Sequence, residues 1–220
     1  MKLVRGFWVP DYDFDSVPVF DEAKGKLEYV ISLCERKNTV IQAGGHFGTF
    51  PAKLAEHFTE VHTFEPDEEN HACLVRNLED YDVVLYPYAL GDVSKDITLV
   101  NQHAKNCASI YVKNDVERKG EFLVKEGVKQ VRLDDPFFAF TFGSLDLMYL
   151  DIEGSEYRTL VGAEKLIKKF KPVLALENKG LIPGFVSRGT DGASGFKDYV
   201  CSLGYKFHKR IARDDVFLPD

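Results

Sequence analysis

The chain has 220 residues, a formal net charge of -7, 45% apolar residues and 29% charged residues. Its size and composition suit a globular protein with a substantial core, while the acidic balance argues against a nucleic-acid partner, because phosphate binding draws on clustered Lys and Arg. No window approaches the roughly 20 apolar residues that a membrane span needs, so no membrane association is expected. Residues 1–15 mix aromatics with acids and lack the basic start and apolar centre of a signal peptide, which makes a soluble, cytoplasmic protein the expectation. Cys34, Cys73, Cys107 and Cys201 show no paired spacing, so reduced, mostly buried thiols are expected rather than a disulfide framework or a zinc knuckle.

In chain order, Ala23, Leu27, Val30, Ile31 and Leu33 predict a helix over 21–36 with Asp21 as N-cap. A strand follows over 39–43, then a helix over 49–58 with Pro51 in its first turn, where a missing N–H costs little. The next elements are a strand over 61–64 and a helix over 67–78, with acids in its first turn and Arg76 late, as the helix dipole favours. A third strand over 83–86 is read as ending near Ala89–Asp92. Short strands over 96–100 and 109–112 bracket a polar segment, and another strand is predicted over 128–133. An apolar strand over 145–151 closes on an acid, and one amphipathic helix over 155–170 is stopped by Lys171-Pro172. Its Lys165, Lys168, Lys169 and Lys171 read as a solvated face. A strand over 173–176 then ends at Glu177. The glycine-rich stretch 180–195 reads as a long mobile loop, followed by a helix over 196–203 and two closing strands over 205–211 and 215–218.

Alternating strands and helices with apolar, doubly covered strands imply an α/β fold with a mostly parallel sheet, and the last two strands an antiparallel edge hairpin. A single domain over 1–220 is expected. It comprises an N-terminal extension and helix (1–37) and a Rossmann-like core (38–220) with a polar insert around 93–130. In such a sheet ligands bind beyond the carboxyl ends of the strands. The predicted strand ends carry Gln42–Gly45, Glu65, Leu90–Asp92, Asp151 with Glu153, and Glu177, which concentrates acids at one rim.

Val40–Gly48 runs an apolar strand into the turn Gly44-Gly45-His46-Phe47-Gly48, and about 20 residues later a second strand ends at Glu65. Glycines let backbone approach a ligand, and a carboxylate at that place takes the two hydroxyls of a ribose. The turn lacks the G-x-G-x-x-G spacing of diphosphate-bearing dinucleotides, so a nucleoside ligand without phosphate, such as S-adenosylmethionine, is the better fit.

With these motifs stand Phe64-Glu65-Pro66, Ala89–Asp92, Asn106–Ser109, Val131–Asp135, Leu150–Glu156, Leu160–Ala163 and Pro172–Glu177. In this order, over roughly 38–218, they resemble the FkbM-type family of S-adenosylmethionine-dependent methyltransferases. The resemblance implies a class I fold with a seven-stranded sheet, and O-methylation of a hydroxyl on a sugar or other small molecule. It also implies a cofactor site made of Gln42, Gly44, Gly45, His46, Gly48, Thr49, Glu65, Pro66, Ala89, Leu90 and Asp151. The family usually carries Asp where this chain has Gln42; the amide can accept a hydrogen bond but adds no charge.

A hydroxyl nucleophile must lose its proton, and Asp151, Glu153, Glu177 and His46 are the candidate acceptors, with His103 behind them. Glu153 and Ser155 could alternatively cap the following helix. The acids are too spread along the chain to specify a metal, so none is predicted, although their oxygens would suit magnesium. His57 and His62 read as surface residues, and Phe7, Trp8, Tyr12 and Phe14 either line a sugar-binding surface or pack the first helix. Two rival readings are a non-catalytic methyltransferase-like binding module, which Gln42 keeps open, and a nicotinamide-dependent oxidoreductase, against which the missing third glycine counts. Oligomeric state is left open.

Overall fold

The computed structural model describes residues 1–12, 16–102, 108–110, 122–139, 142–178 and 193–220. The chain opens with a hairpin of β1 (Lys2–Val4) and β2 (Phe7–Val9), then α1 (Ser16–Ser32), β3 (Thr39–Ala43), α2 (Thr49–Ala55), β4 (Glu60–Phe64), α3 (Glu68–Asn77) and β5 (Val83–Tyr86). Four strands and a short helix follow: β6 (Ala89–Leu90), β7 (Lys95–Gln102), β8 (Ala108–Ile110), β9 (Phe122–Val131) and α4 (Pro136–Ala139). The chain closes with β10 (Leu147–Leu150), α5 (Glu156–Gly162), α6 (Glu164–Phe170), β11 (Val173–Glu177), α7 (Ala193–Ser202), β12 (Tyr205–Ile211) and β13 (Asp214–Pro219).

The main sheet has seven strands in the order β12-β13-β11-β10-β3-β4-β5. Strands β11, β10, β3, β4 and β5 run parallel, and β13 pairs antiparallel with both β11 and β12. The order reverses between β3 and β10, where crossovers leave in opposite directions and open a crevice. Strand alternation builds a core on each face. Ile41, Ala43, Met148, Leu150, Leu174 and Leu176 pack with Leu160, Ile167 and Val200 of α5, α6 and α7. Val40, Leu147, Tyr149, Val173 and Ala175 pack with Leu27, Val30 and Ile31 of α1 and Leu54 of α2. At the outer edge β12 is blunted by exposed Lys206, Lys209 and Arg210, as an unpaired edge requires.

Several sequence expectations are corrected. Helix α1 begins at Ser16, so Asp21 lies inside it; Pro18 sits in the first turn, where its missing N–H is harmless. The helix predicted over 155–170 is two helices meeting at Ala163, because the Gly162 carbonyl accepts the Asp134 N–H at 2.8 Å in place of the Leu166 N–H. Asp134 holds the restart, accepting hydrogen bonds from the N–H groups of Lys165 and Leu166 at 2.9 and 3.1 Å. β5 ends at Tyr86, and Ala89–Leu90 belong to a second, four-stranded sheet ordered β6-β9-β7-β8, so Asp92 does not end a strand of the main sheet. His62 is buried, not a surface residue: it faces Tyr86, whose hydroxyl is 3.0 Å from Nδ1, and meets Phe142 edge-on at 4.8 Å. Burial holds its pKa below the usual value. No helix among the described residues is long and apolar enough to cross a membrane.

The N-terminal hairpin packs on α3 and the glycine turn. Val9 joins Phe47 and Cys73 in a small apolar cluster, the Phe7 and Phe47 rings lie 6.1 Å apart, and the Arg76 guanidinium stacks 3.5 Å above Trp8. Phe14, His103, Asn106, Cys107 and most of the loop predicted over 180–195 lie outside the described residues.

Candidate active site

At the carboxyl end of β3 the chain turns sharply, and both Gly44 and Gly45 N–H groups donate to the Phe64 carbonyl at 3.0 Å. Gly44 has φ 84, and a Cβ there would overlap the carbonyl oxygen of Asp151, so this position admits no side chain. A Cβ at Gly45 would stand 2.7 Å from the Thr63 hydroxyl, and Gly48, with φ 104, forms the N-cap position of α2. The turn thus wedges between the ends of β4 and β10. Thr49 and Pro66, both half-buried, flank it at the start of α2 and just after Glu65.

Gln42 is buried in β3 with both ends of its amide engaged: Thr63 Oγ1 donates to Oε1, and Nε2 donates to the Gly44 carbonyl at 2.9 Å. The donation to Gly44 is one that a carboxylate could not make. Gln42 therefore shapes the glycine turn from below.

Glu65 is only 4% exposed. Its Oε2 accepts the N–H of His46 at 2.8 Å, its Oε1 accepts that of Asp67 at 2.9 Å, and the Asn70 side chain lies close by. Burial pushes its pKa up to about 7 despite these donors, with the Asp67 charge adding to the rise. Asp67 is the N-cap of α3: its Oδ1 accepts from Glu69 and Asn70 N–H at 3.0 and 3.1 Å, and its Oδ2 pairs with Lys125 of β9 at 2.8 Å. His46 takes φ 49, and its ring lies 4.4 Å from that of Phe47.

On the other side of the turn, carboxylate oxygens of Asp151, Glu153 and Glu177 lie within 4.8 Å of one another, a spacing that could hold a cation. This corrects the sequence view that the acids are too spread. The ends of β10 and β11 are neighbours in the sheet, and consecutive left-handed residues, Glu153 at φ 57 and Gly154 at φ 98, fold the loop back on itself. Glu156, buried at the start of α5, accepts the N–H groups of Ile152 and Gly154 at 2.9 and 3.3 Å. Burial pushes its pKa, too, up to about 7. Ser155 occupies the N-cap position of α5 but makes no side-chain capping bond, so the loop is held by Glu156 instead.

The structure therefore gathers Gln42, Gly44, Gly45, His46, Gly48, Thr49, Glu65, Pro66 and Asp151 around one turn, with Glu153 and Glu177 beside Asp151. Ala89 and Leu90 stand apart in the second sheet, and the Leu90 side chain is packed in the core. Asn70 and Glu156 escaped sequence reading. An Asx cap at Asp67 followed three residues on by Asn70 is a signal that could have pointed to the first; nothing local marks the second.

The strand order, with an antiparallel seventh strand between the fifth and sixth of the main sheet, and the glycine turn facing an acid define a class I methyltransferase fold. The Methyltransferase FkbM domain profile matches residues 42–207, and the chain belongs to that family. Among solved structures, the chain is similar to the methyltransferase FkbM from Methylobacillus flagellatus KT, with 20% identity and a TM-score of 0.51 over 82% of this chain and 43% of that one. The chain thus spans less than half the length of that protein. It is also similar to magnesium protoporphyrin IX methyltransferase from Synechocystis PCC 6803, solved with bound SAM, at 8% identity and a TM-score of 0.51, covering 93% of this chain and 81% of that one. No curated protein matches the chain.

Two predictions follow from this geometry. Between about pH 4.5 and about 7 folded Glu65 retains a proton that the unfolded chain has released, so its ionisation lowers stability as pH rises through that window. Urea unfolding from pH 5 to 8 should show the wild type losing stability relative to Glu65→Gln; parallel curves would refute the assignment. Gln42→Glu puts an acceptor against the Gly44 carbonyl and should destabilise the fold by about 2–4 kcal/mol in the same assay.

Proposed function

We propose that the protein transfers a methyl group from S-adenosylmethionine to a hydroxyl oxygen of a sugar or other small molecule. Membership of the methyltransferase family supplies the reaction class. The observation that carries the finer reading is the convergence of Asp151, Glu153 and Glu177 beside the glycine turn, which puts proton acceptors next to the cofactor site that an alcohol nucleophile needs. A net charge of -7 and this acidic rim disfavour a phosphate-rich polymer as acceptor.

The residues present fit the cofactor. Each Glu65 oxygen accepts one backbone N–H and keeps acceptor capacity for a ribose hydroxyl, while Asn70 Oδ1 is buried with no partner among the described residues. The acids across the turn favour a cation and would repel a diphosphate, which separates a sulfonium ligand from a nicotinamide dinucleotide. Bound there, S-adenosylmethionine supplies an electrophilic methyl group.

The chain's own residues do the rest. Glu65 and Asn70 hold the ribose, and the backbone of Gly44 and Gly45 lets the ligand lie against the turn. Gln42 keeps that turn in shape. His46 N–H orients Glu65. Asp151, Glu153 or Glu177 takes the acceptor's hydroxyl proton at a carboxylate oxygen, and the three together offset positive charge. Much of the rate gain comes from holding the two reactants in line.

Calorimetric titration with S-adenosylmethionine, S-adenosylhomocysteine and NAD tests the cofactor. The first two should bind and NAD should not, and Glu65→Ala should weaken binding on the order of a hundredfold. Wild-type binding of NAD alone, or an unchanged dissociation constant in the variant, would overturn the reading. Among Asp151→Asn, Glu153→Gln and Glu177→Gln, the variant that loses the proton acceptor should lower kcat on a hydroxyl substrate about 10²–10⁴-fold with cofactor affinity kept. Full kcat in all three would remove the carboxylates from that role.

A further inference from the structure

The N-terminal hairpin lies outside residues 42–207, the part of the chain that matches the family. It is nevertheless built onto the glycine turn. Asn77 of α3 accepts the Trp8 N–H at 2.8 Å and donates to the Trp8 carbonyl at 2.7 Å, and its amide nitrogen also bonds the Phe47 carbonyl inside the turn at 2.6 Å. One side chain thus fixes the hairpin and the turn to the same helix. The N-terminal ammonium pairs with Asp11 at 2.9 Å, and the Lys2 ammonium donates to the Asp11 carbonyl at 3.2 Å, so the segment after β2 is tied back as well.

Tyr12 is the next residue. Its ring is partly covered, and its hydroxyl oxygen is buried with no hydrogen-bond partner among the described residues. Burial, and then the charges of Asp67, Glu69 and Glu65, push its ionisation well up. Asn70 Oδ1, on α3 close to Glu65, is likewise buried and unpartnered among the described residues. A donor and an acceptor left unmade around one carboxylate are costly in the free protein and are repaid by a polar ligand.

We propose that Tyr12 is a cofactor-binding residue whose hydroxyl donates to the adenosine half of S-adenosylmethionine beside Glu65, held there by the N-terminal hairpin. This rests on the cofactor reading given above. The role differs in sign from a structural one. A hydroxyl buried with no partner among the described residues weakens the free protein, so removing it leaves the ligand-free fold as stable as before or more so, while ligand binding suffers. A tyrosine that held the fold through its hydroxyl would show the reverse.

The test uses the full chain, wild type and Tyr12→Phe. Calorimetry with S-adenosylhomocysteine and with 5′-methylthioadenosine, which lacks the amino-acid end, is combined with urea unfolding without ligand. Tyr12→Phe should bind both ligands about five- to twentyfold more weakly, with an unchanged or raised urea midpoint. Equal dissociation constants with wild-type binding intact would overturn this proposal and leave the cofactor reading standing. A loss confined to S-adenosylhomocysteine would put the hydroxyl at the amino-acid end and refute the adenosine contact. A lowered midpoint with unchanged affinity would make Tyr12 structural. Failure of the wild type to bind either ligand would overturn the cofactor reading, and this one with it.

Discussion

Where β3 and β10 leave the sheet side by side, the backbone of Gly44 lies against the carbonyl oxygen of Asp151 with no space for a side chain between them. That approach is the constraint on which the site depends. It lets the chain reverse within a few residues, so the turn reaches across to the end of β4, where two N–H groups share the Phe64 carbonyl. It also fixes the start of the loop that brings Glu153 back toward Glu177. A bulkier residue at Gly44 would push apart the two strands between which the sheet changes direction, and with them both halves of the site.

The two halves are held by the same physical device: a buried glutamate that gathers backbone N–H groups. Glu65 collects those of His46 and Asp67; Glu156 collects those of Ile152 and Gly154. In each, burial raises the cost of charge and the N–H donors offset part of it. The difference lies in what surrounds them. Around Glu65 polar atoms remain unmatched among the described residues, as befits a place for a ligand, whereas Glu156 sits beneath its loop and keeps the Asp151–Glu153 segment in shape. Two of the non-glycine residues at positive φ, His46 and Glu153, flank these glutamates, so backbone strain collects where the chemistry is expected.

The order of the main elements was legible because strand and helix periods are local, and the glycine turn and Glu65 because their spacing is imposed by one strand–helix–strand unit. What escaped was set by distant pairing. The four-stranded sheet needs β6 to find β9 some forty positions on, as the pairing of Ala89 with Gln130 shows, and no window of sequence holds both. The break at Ala163 is imposed by Asp134, about thirty residues earlier in the chain, which takes the Gly162 carbonyl and the Leu166 N–H, so the amphipathic run from 155 to 170 reads as unbroken. His62 was misjudged because a strand residue's exposure depends on what covers that face, here Tyr86 and Phe142. The convergence of Asp151, Glu153 and Glu177 required knowing that β10 and β11 are neighbours and that Glu153 turns left-handed. Of the N-terminal aromatics, Phe7 and Trp8 pack on the glycine turn and α3, a contact that no local pattern announces.

Asp67 has a position whose meaning emerges from its three roles taken together. One oxygen caps α3, the other grips Lys125 in the middle of β9, and its own N–H holds Glu65. The second sheet, peripheral in the strand diagram, is therefore anchored electrostatically two residues along the chain from Glu65. Replacing Lys125 would leave Asp67 buried without that charge partner and loosen the tie between the sheet and α3. The second sheet thereby serves as a stay for the turn that follows β4.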